Sequence, residues 1–182
     1  DNNDYWIVKL DAIGNIQWAK SFGGTSDDQA YSVQQTSDGG YILGGEASSL
    51  NGDVVGNHST GLVSDIWIVK IDSLGNKQWD KDFGGTNLDQ LASIQQTADG
   101  GYILGGKSGS GISGNKTQWT WGLTDYWIVK TDSLGIRQWD KDFGGTAKEE
   151  LYKVSQTTDG GYLLSGDSYS PISGNKTENN LG

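Results

Sequence analysis

Few side chains in this sequence could support acid–base or nucleophilic catalysis. The 182 residues contain no cysteine and one histidine, His58. Without cysteine there is no thiolate nucleophile, no disulfide and no cysteine-ligated metal site. The composition therefore predicts a protein that is not an enzyme and that has no cofactor, so its candidate functional residues are ligand-binding ones.

Two tryptophans in the long loop 106–124, Trp119 and Trp121, are the first candidates for ligand binding. In an extended Trp-Thr-Trp segment both indoles project to one side and form an aromatic platform that can stack on a sugar or anchor a partner protein. The alternative is that the two rings cover a neighbouring loop or sheet. The other candidates lie in equivalent loops, which are long enough to hold a site: His58, Asn115 and Asn175.

Three repeated aspartates, Asp11, Asp72 and Asp132, are weak candidates for calcium binding. A carboxylate together with backbone carbonyls can ligate Ca²⁺. An aspartate beside a glycine turn more commonly accepts hydrogen bonds from the backbone of its own turn. Because the alternating acidic pattern of a calcium loop is absent, the sequence predicts turn residues and no metal site.

Two acidic pairs, Asp27-Asp28 and Glu149-Glu150, resemble the carboxylates of a glycosidase in residue type alone. Such an enzyme needs two carboxyl groups that face each other across a sugar. We predict instead that these pairs lie in a solvated loop.

The net charge limits the possible partners. The chain has 13 basic and 23 acidic side chains, a net charge of −10 and an isoelectric point of about 4.3. A nucleic-acid module needs a basic face, so binding to nucleic acid is not expected. There is no run of 18 apolar residues, so we expect no membrane insertion.

The aromatic residues reveal three copies of one unit. Two sets of tryptophans recur at intervals of 61 and 60 residues: Trp6, Trp67 and Trp127, then Trp18, Trp79 and Trp139. A repeat of this length predicts units that bury their apolar faces against their neighbours. We place repeats at 1–64, 65–124 and 125–182 of one continuous domain. The first residue is not Met, and we expect the domain to be a fragment of a longer chain.

Each unit contains four short β-type segments separated by turns. In the first copy they are 5–10, 16–21, 30–35 and 41–46, and the Gly- and Asn-containing turns between them suit hairpins. No helical period persists. The sequence therefore predicts an all-β fold of twelve strands in four-stranded antiparallel sheets. The first tryptophan of each copy is expected in the core, and the second between adjacent sheets.

Several runs resemble the blades of quinoprotein-type β-propellers. They are Tyr-Ile-Leu-Gly-Gly at 41–45, Trp-Ile-Val-Lys-Leu-Asp at 6–11, Gly-Asn-Ile-Gln-Trp at 14–18 and Phe-Gly-Gly at 22–24. From residue 4 onward the chain also resembles the repeats of large bacterial secreted or surface proteins, many of them exported by the type IX route. This resemblance implies β-propeller blades and a secreted or cell-surface location.

The blade pattern implies that the chain opens on the third and fourth strands of a blade and ends on the first and second. It therefore holds two whole blades and two halves, fewer than the four to eight blades of a closed ring. Further repeats, a second chain that completes six blades, or a filament would complete the halves. A β-prism or a β-trefoil is the alternative fold.

The leading functional hypothesis is a non-catalytic extracellular module that acts as an adhesive or structural scaffold on a bacterial surface. Its expected partners are other copies of itself or further repeats of the parent chain, with glycans or surface proteins as further possibilities. The alternative is a glycan-binding lectin with sites in the long loops. A lectin should bind sugars through one weak site per blade.

Overall fold

The computed structural model describes residues 2–58 and 63–181, and this part of the chain is all-β. It contains no helix within those residues, and so none that could span a membrane. The strands are β1 (Tyr5–Leu10), β2 (Ile16–Phe22), β3 (Asp28–Gln35), β4 (Tyr41–Ala47), β5 (Asp65–Ile71), β6 (Lys77–Phe83), β7 (Asp89–Gln96), β8 (Tyr102–Ser108), β9 (Asp125–Thr131), β10 (Arg137–Phe143), β11 (Glu149–Gln156) and β12 (Tyr162–Ser168).

These strands form two four-stranded and two two-stranded antiparallel sheets. The four-stranded sheets have the orders β3-β4-β5-β6 and β7-β8-β9-β10, and the end sheets are β1-β2 and β11-β12. The predictions of an all-β class and of four-stranded antiparallel sheets are confirmed. Among the described residues no sheet closes on itself, and the chain begins on the last two strands of a unit and ends on the first two.

Local sequence explains the hairpins. Between β1 and β2, Asp11 accepts hydrogen bonds from the backbone N–H groups of Ile13 and Asn15, at 3.0 and 2.9 Å. Gly14 has a φ of +90°, a conformation that L side chains rarely adopt. The turn is therefore set by the glycine and stabilised by the aspartate, and the same pattern recurs before β6 and β10.

The core lies where neighbouring sheets pack face to face. Trp18, Trp79 and Trp139 occupy equivalent places, each with its ring edge against a tyrosine of the next sheet. The ring centroids are 6.0 Å apart for Trp18 and Tyr41, and 5.9 and 5.7 Å in the next two copies. Each of these tryptophans therefore joins one sheet to the next.

The first set of tryptophans is divided. Trp67 and Trp127 have no exposed surface, but Trp6 is 69% exposed. Trp67 lies in the middle of its sheet, opposite Gly45 of β4, whereas β1 is an edge strand without a neighbour on that side. The prediction that Trp6 lies in the core is therefore wrong. Among the described residues β1 pairs only with β2, so no strand covers Trp6 as β4 covers Trp67.

Candidate functional site

Buried carboxyl groups gather where one four-stranded sheet meets the next. Asp65 begins β5, Asp82 is near the end of β6 and Asp89 begins β7, and all three side chains are buried. Because β5 and β6 are antiparallel, the start of one lies beside the end of the other. The Phe-Gly-Gly turn then wraps around the group, and the Gly85 N–H donates to Asp89 Oδ2 at 2.8 Å.

The first glycine of the Phe-Gly-Gly turns at 83–85 and 143–145 cannot be replaced by a larger residue without a clash. A Cβ on Gly84 would lie 2.3 Å from Asp65 Oδ1, and a Cβ on Gly144 would lie 2.4 Å from Asp125 Oδ1. The turn backbone is thus held against the carboxylates. We call Asp65, Asp82 and Asp89 the first acidic cluster, and the equivalent Asp125, Asp142 and Glu149 the second acidic cluster.

The expectation of a solvated loop at the acidic pairs is wrong for two of their members. Asp28 and Glu149 are buried. Asp28 Oδ2 accepts from the Gly24 N–H at 2.8 Å, and Glu149 Oε2 accepts from the Gly145 N–H at 2.9 Å. The backbone donors of each turn need acceptors away from water, so the carboxylates are drawn inward.

A basic side chain from a long loop lies against each complete cluster. His58 Nδ1 is 2.9 Å from Asp82 Oδ1 and 3.7 Å from Asp65 Oδ2. In the second cluster the buried Lys116 Nζ is 2.5 Å from Asp142 Oδ2 and donates to Ser108 Oγ at 2.8 Å. Imidazole and ammonium thus contact equivalent carboxyl groups in successive repeats, although they come from different positions of their loops.

The electrostatics of both clusters favour a protonated carboxyl. Burial, and then the negative charge of Asp65, raise the pKa of Asp82 to about 9. Burial and a hydrogen bond with Asp125 raise the pKa of Asp142 to about 8, against the lowering effect of Lys116. At neutral pH each of these two carboxyls therefore retains a proton.

Two of the predicted ligand-binding residues, Asn115 and Asn175, bind backbone groups of the protein itself. Asn115 Oδ1 accepts from the Gly84 N–H at 2.9 Å, and Asn115 Nδ2 donates to the Asp82 carbonyl at 2.7 Å. Asn175 makes the same two contacts to Gly144 and Asp142 one repeat later. The structure thus brings His58 and Asn115 together at Asp82, and Asn175 lies at the next junction.

Trp119 and Trp121 are directed to solvent, with 71% and 57% of their surfaces exposed. Thr120 between them faces the opposite way, because its hydroxyl donates to the Ser110 carbonyl and accepts from Lys116 Nζ at 3.0 Å. Both indoles are therefore accessible from solvent, whereas Thr120 is bound to the loop. This exposure fits an aromatic platform.

The three calcium candidates have the contacts of turn residues. Asp11, Asp72 and Asp132 each accept two backbone N–H bonds through Oδ1. In the first two copies an asparagine side chain also donates to Oδ2, at 3.0 and 2.9 Å. These bonds are those of an aspartate that stabilises its own turn.

The sequence interpretation missed the acidic clusters. Its signal was nevertheless present, because acidic residues recur at the start of β5 and β9 and just before the second and third Phe-Gly-Gly turns. Alternation alone could not show that these positions face the same junction, since that depends on how two sheets pack.

Comparison with known proteins gives one partial relative. No family model matches the chain. Regulatory protein FlaEY of Caulobacter vibrioides is 28% identical over 117 residues. Those residues are 62% of this chain, and the chain spans 12% of that protein's length.

Proposed function

We propose that this chain is a non-catalytic β-propeller-type scaffold module whose two half-sheets are completed by a second copy of the chain. The proposal rests on the two two-stranded sheets. Within the described residues, β1-β2 corresponds to the last two strands of a four-stranded sheet and β11-β12 to the first two, so together they would form one complete sheet. An unpaired edge strand exposes backbone donors and acceptors and favours pairing with another strand.

The register of that pairing follows from the two complete sheets. In β4-β5, Tyr41 pairs with Ile71 and Gly45 with Trp67, and β8-β9 repeats both pairs. At the ends of the chain the same register places Tyr162 opposite Leu10, and Gly166 opposite Trp6. Trp6 would then become covered as Trp67 is.

An ion pair supports the same register. Lys70 Nζ is 2.9 Å from Asp38 Oδ2, and Lys130 Nζ is 2.9 Å from Asp99 Oδ2. Each pair ties the third strand of a unit to the Asp-Gly-Gly turn before its second strand. In the third copy of these positions, the lysine is Lys9 and the aspartate is Asp159. They belong to the first and last hairpins of the chain, so they can pair only if β1-β2 and β11-β12 come together.

Side-chain size favours a second copy over an ordinary further repeat. A Cβ on Gly44 would lie 2.5 Å from Leu91 Cδ2, and one on Gly105 would lie 2.9 Å from Leu151 Cδ2. Ser165 of β12 stands at the position of Gly44 and Gly105, and Ala30 of β3 stands at the position of Leu91 and Leu151. Serine is larger than glycine, and alanine is smaller than leucine. The exchange of sizes makes the two ends of this chain complementary.

The mass of the 182-residue chain in solution tests this proposal. We expect static light scattering to give at least twice 19.5 kDa, for a head-to-tail pair or an end-to-end polymer. Trp6→Glu should return the mass to that of one chain, because a buried unpaired carboxylate is costly. Ile13→Glu is the matched control, since Ile13 is exposed in the β1-β2 turn and should leave the mass unchanged.

A folded monomer at high concentration would contradict the proposal, as would a Trp6→Glu mass equal to that of Ile13→Glu. Trp6 is exposed in the single chain, so its replacement leaves the sheets intact. A far-UV circular dichroism spectrum unchanged by Trp6→Glu checks this.

The location that we propose is extracellular, either secreted or on a bacterial surface. It is supported by the resemblance of the repeats, the acidic composition and the absence of cysteine. The Caulobacter relative is named a regulatory protein, a name that describes no chemical reaction. Detection of the chain in the medium or on intact cells tests this location, and its confinement to the cytoplasm would contradict it.

Glycan binding is the second candidate function, because Trp119 and Trp121 expose their rings on one side of a loop. On a glycan array we expect binding that Trp119→Ala abolishes. Leu123→Ala is the matched control, since Leu123 is exposed in the same loop but carries no aromatic face. Absence of any glycan signal from the unaltered chain would exclude this function.

A further inference from the structure

Three metal-ligating atoms converge at the first acidic cluster. Within the described residues, His58 Nδ1, one oxygen of Asp65 and one oxygen of Asp82 all lie within 4.8 Å of one another. The nitrogen is 2.9 Å from the Asp82 oxygen and 3.7 Å from the Asp65 oxygen. Ligand atoms about 2.0–2.1 Å from a tetrahedral zinc ion are about 3.3–3.4 Å apart, so the two distances from His58 Nδ1 lie on either side of the separation that zinc requires.

The position of these atoms is fixed by the surrounding structure. The His58 backbone N–H donates to Asp65 Oδ2 at 2.8 Å, and the His58 ring lies against Gly114 of the next long loop. Asn115 Nδ2 holds the Asp82 carbonyl at 2.7 Å. Both carboxylate side chains are buried, while the imidazole is about one third exposed and gives access from solvent.

A buried acceptor in this cluster lacks a partner. Asp82 is 7% exposed, and its Oδ2 accepts no hydrogen bond within residues 2–58 and 63–181. At neutral pH the Asp82 carboxyl holds a proton, because burial and the charge of Asp65 disfavour its ionised form. A divalent metal ion bound by His58, Asp65 and Asp82 would replace this proton and compensate the charge of both carboxylates.

The second acidic cluster shows that this place in the repeat accepts a cation. There the Lys116 ammonium is 2.5 Å from Asp142 Oδ2 and wholly buried. At the first cluster Val54 stands at the loop position of Lys116. The imidazole of His58 approaches Asp82 from a later point of that loop, and an imidazole binds a metal through an unprotonated nitrogen. The second cluster thus contains the ammonium group of Lys116, whereas the first contains an imidazole that can bind a metal ion.

We propose that His58, Asp65 and Asp82 form a structural binding site for one divalent transition metal ion of the zinc class. Imidazole nitrogen with two carboxylate oxygens suits zinc better than calcium, which takes six or more oxygen ligands. The ion would tie the loop between β4 and β5 to the junction of the two complete sheets. This site is independent of the pairing of the chain ends.

Calorimetric titration of the chelator-treated 182-residue chain with zinc chloride tests the site. We expect saturable binding of one equivalent, which His58→Ala abolishes. Asp72→Asn is the matched control, since Asp72 is an exposed turn aspartate outside the site, and this variant should bind one equivalent as before.

The ring nitrogens of the histidine give a second readout. His58 is the only histidine, so its ¹⁵N signals need no assignment. Zinc should shift the Nδ1 signal much more than the Nε2 signal, and Asp82→Asn should remove that shift while the circular dichroism spectrum stays unchanged. No saturable binding, equal binding by His58→Ala, or a dominant Nε2 shift would each overturn the proposal.

Discussion

The eight tryptophans have different roles at the scale of single residues. Those between sheets support packing, whereas Trp119 and Trp121 contribute surface. Trp79 lies edge-on to Tyr102 and against the turn that holds Gly135. Its loss would leave a cavity between two sheets, but the loss of Trp119 would leave only open solvent.

We therefore expect Trp79→Ala to lower the free energy of unfolding by about 3 kcal/mol, near the usual cost of emptying a packed aromatic site. Trp119→Ala should lower it by less than about 0.5 kcal/mol, as for other exposed substitutions. Urea unfolding followed by circular dichroism measures both. Equal losses would show that Trp79 is not a packing residue.

Asp142 predicts a dependence of stability on pH. Its pKa is raised from 3.8 to about 8 by burial and by Asp125, against Lys116. Between those values the unfolded state has released a proton that the folded state still holds, so this group's contribution to stability falls as the pH rises from 4 to 8.

Asp142→Asn keeps the shape but cannot ionise. The stability of this variant relative to the unaltered chain should therefore rise between pH 4 and pH 8, by no more than about 1.4 kcal/mol per pH unit, and level off above pH 8. Urea melts at several pH values give the difference. A difference that is independent of pH would contradict the assigned protonation.

At the scale of elements, the sequence was sufficient for strands and turns. Alternating apolar residues and glycine turns are local signals, and β1 to β4 match the four segments predicted for the first copy to within two residues at each end. Trp6 and Asp28 were misjudged because their burial depends on a neighbouring sheet or turn. The contact between His58 and Asp82 could not be predicted either, since 24 residues separate them and it depends on how the loop between β4 and β5 folds over the end of β6.

Packing between sheets makes its own prediction. A Cβ on Gly44 would lie 2.5 Å from Leu91 Cδ2, so Gly44→Ala should destabilise the chain by about 1–3 kcal/mol through overpacking. Leu91→Ala removes the obstructing methyl groups but leaves a cavity. The double variant should therefore be more stable than the sum of the two single effects predicts.

A double-mutant cycle by urea unfolding measures that coupling. The coupling should favour the double variant by about 0.5 kcal/mol or more, the range for residues in contact. Strictly additive effects would show that Leu91 is not the reason why position 44 must be glycine. They would then weaken the argument that the larger Ser165 and the smaller Ala30 are complementary.

At the scale of the whole molecule, the two end sheets differ from the others because each has two strands instead of four among the described residues. In the proposed assembly, the register and the ion pair of the complete sheets would recur between β12 of one copy and β1 of the next. The larger Ser165 would face the smaller Ala30 of the next copy, where the complete sheets place glycine against leucine. The assembled form should therefore pair β12 of one copy with β1 of the next.

Disulfide cross-linking tests that pairing most directly, because the chain has no cysteine of its own. The register places Ser165 opposite Ile7, within the Cα separation that a disulfide spans. We expect Ile7→Cys/Ser165→Cys to oxidise into species of two or more chains, and the off-register control Ile7→Cys/Leu163→Cys to do so far less. A cross-link within one chain, equal cross-linking of the control, or none at all would contradict completion of the half-sheets by a second copy.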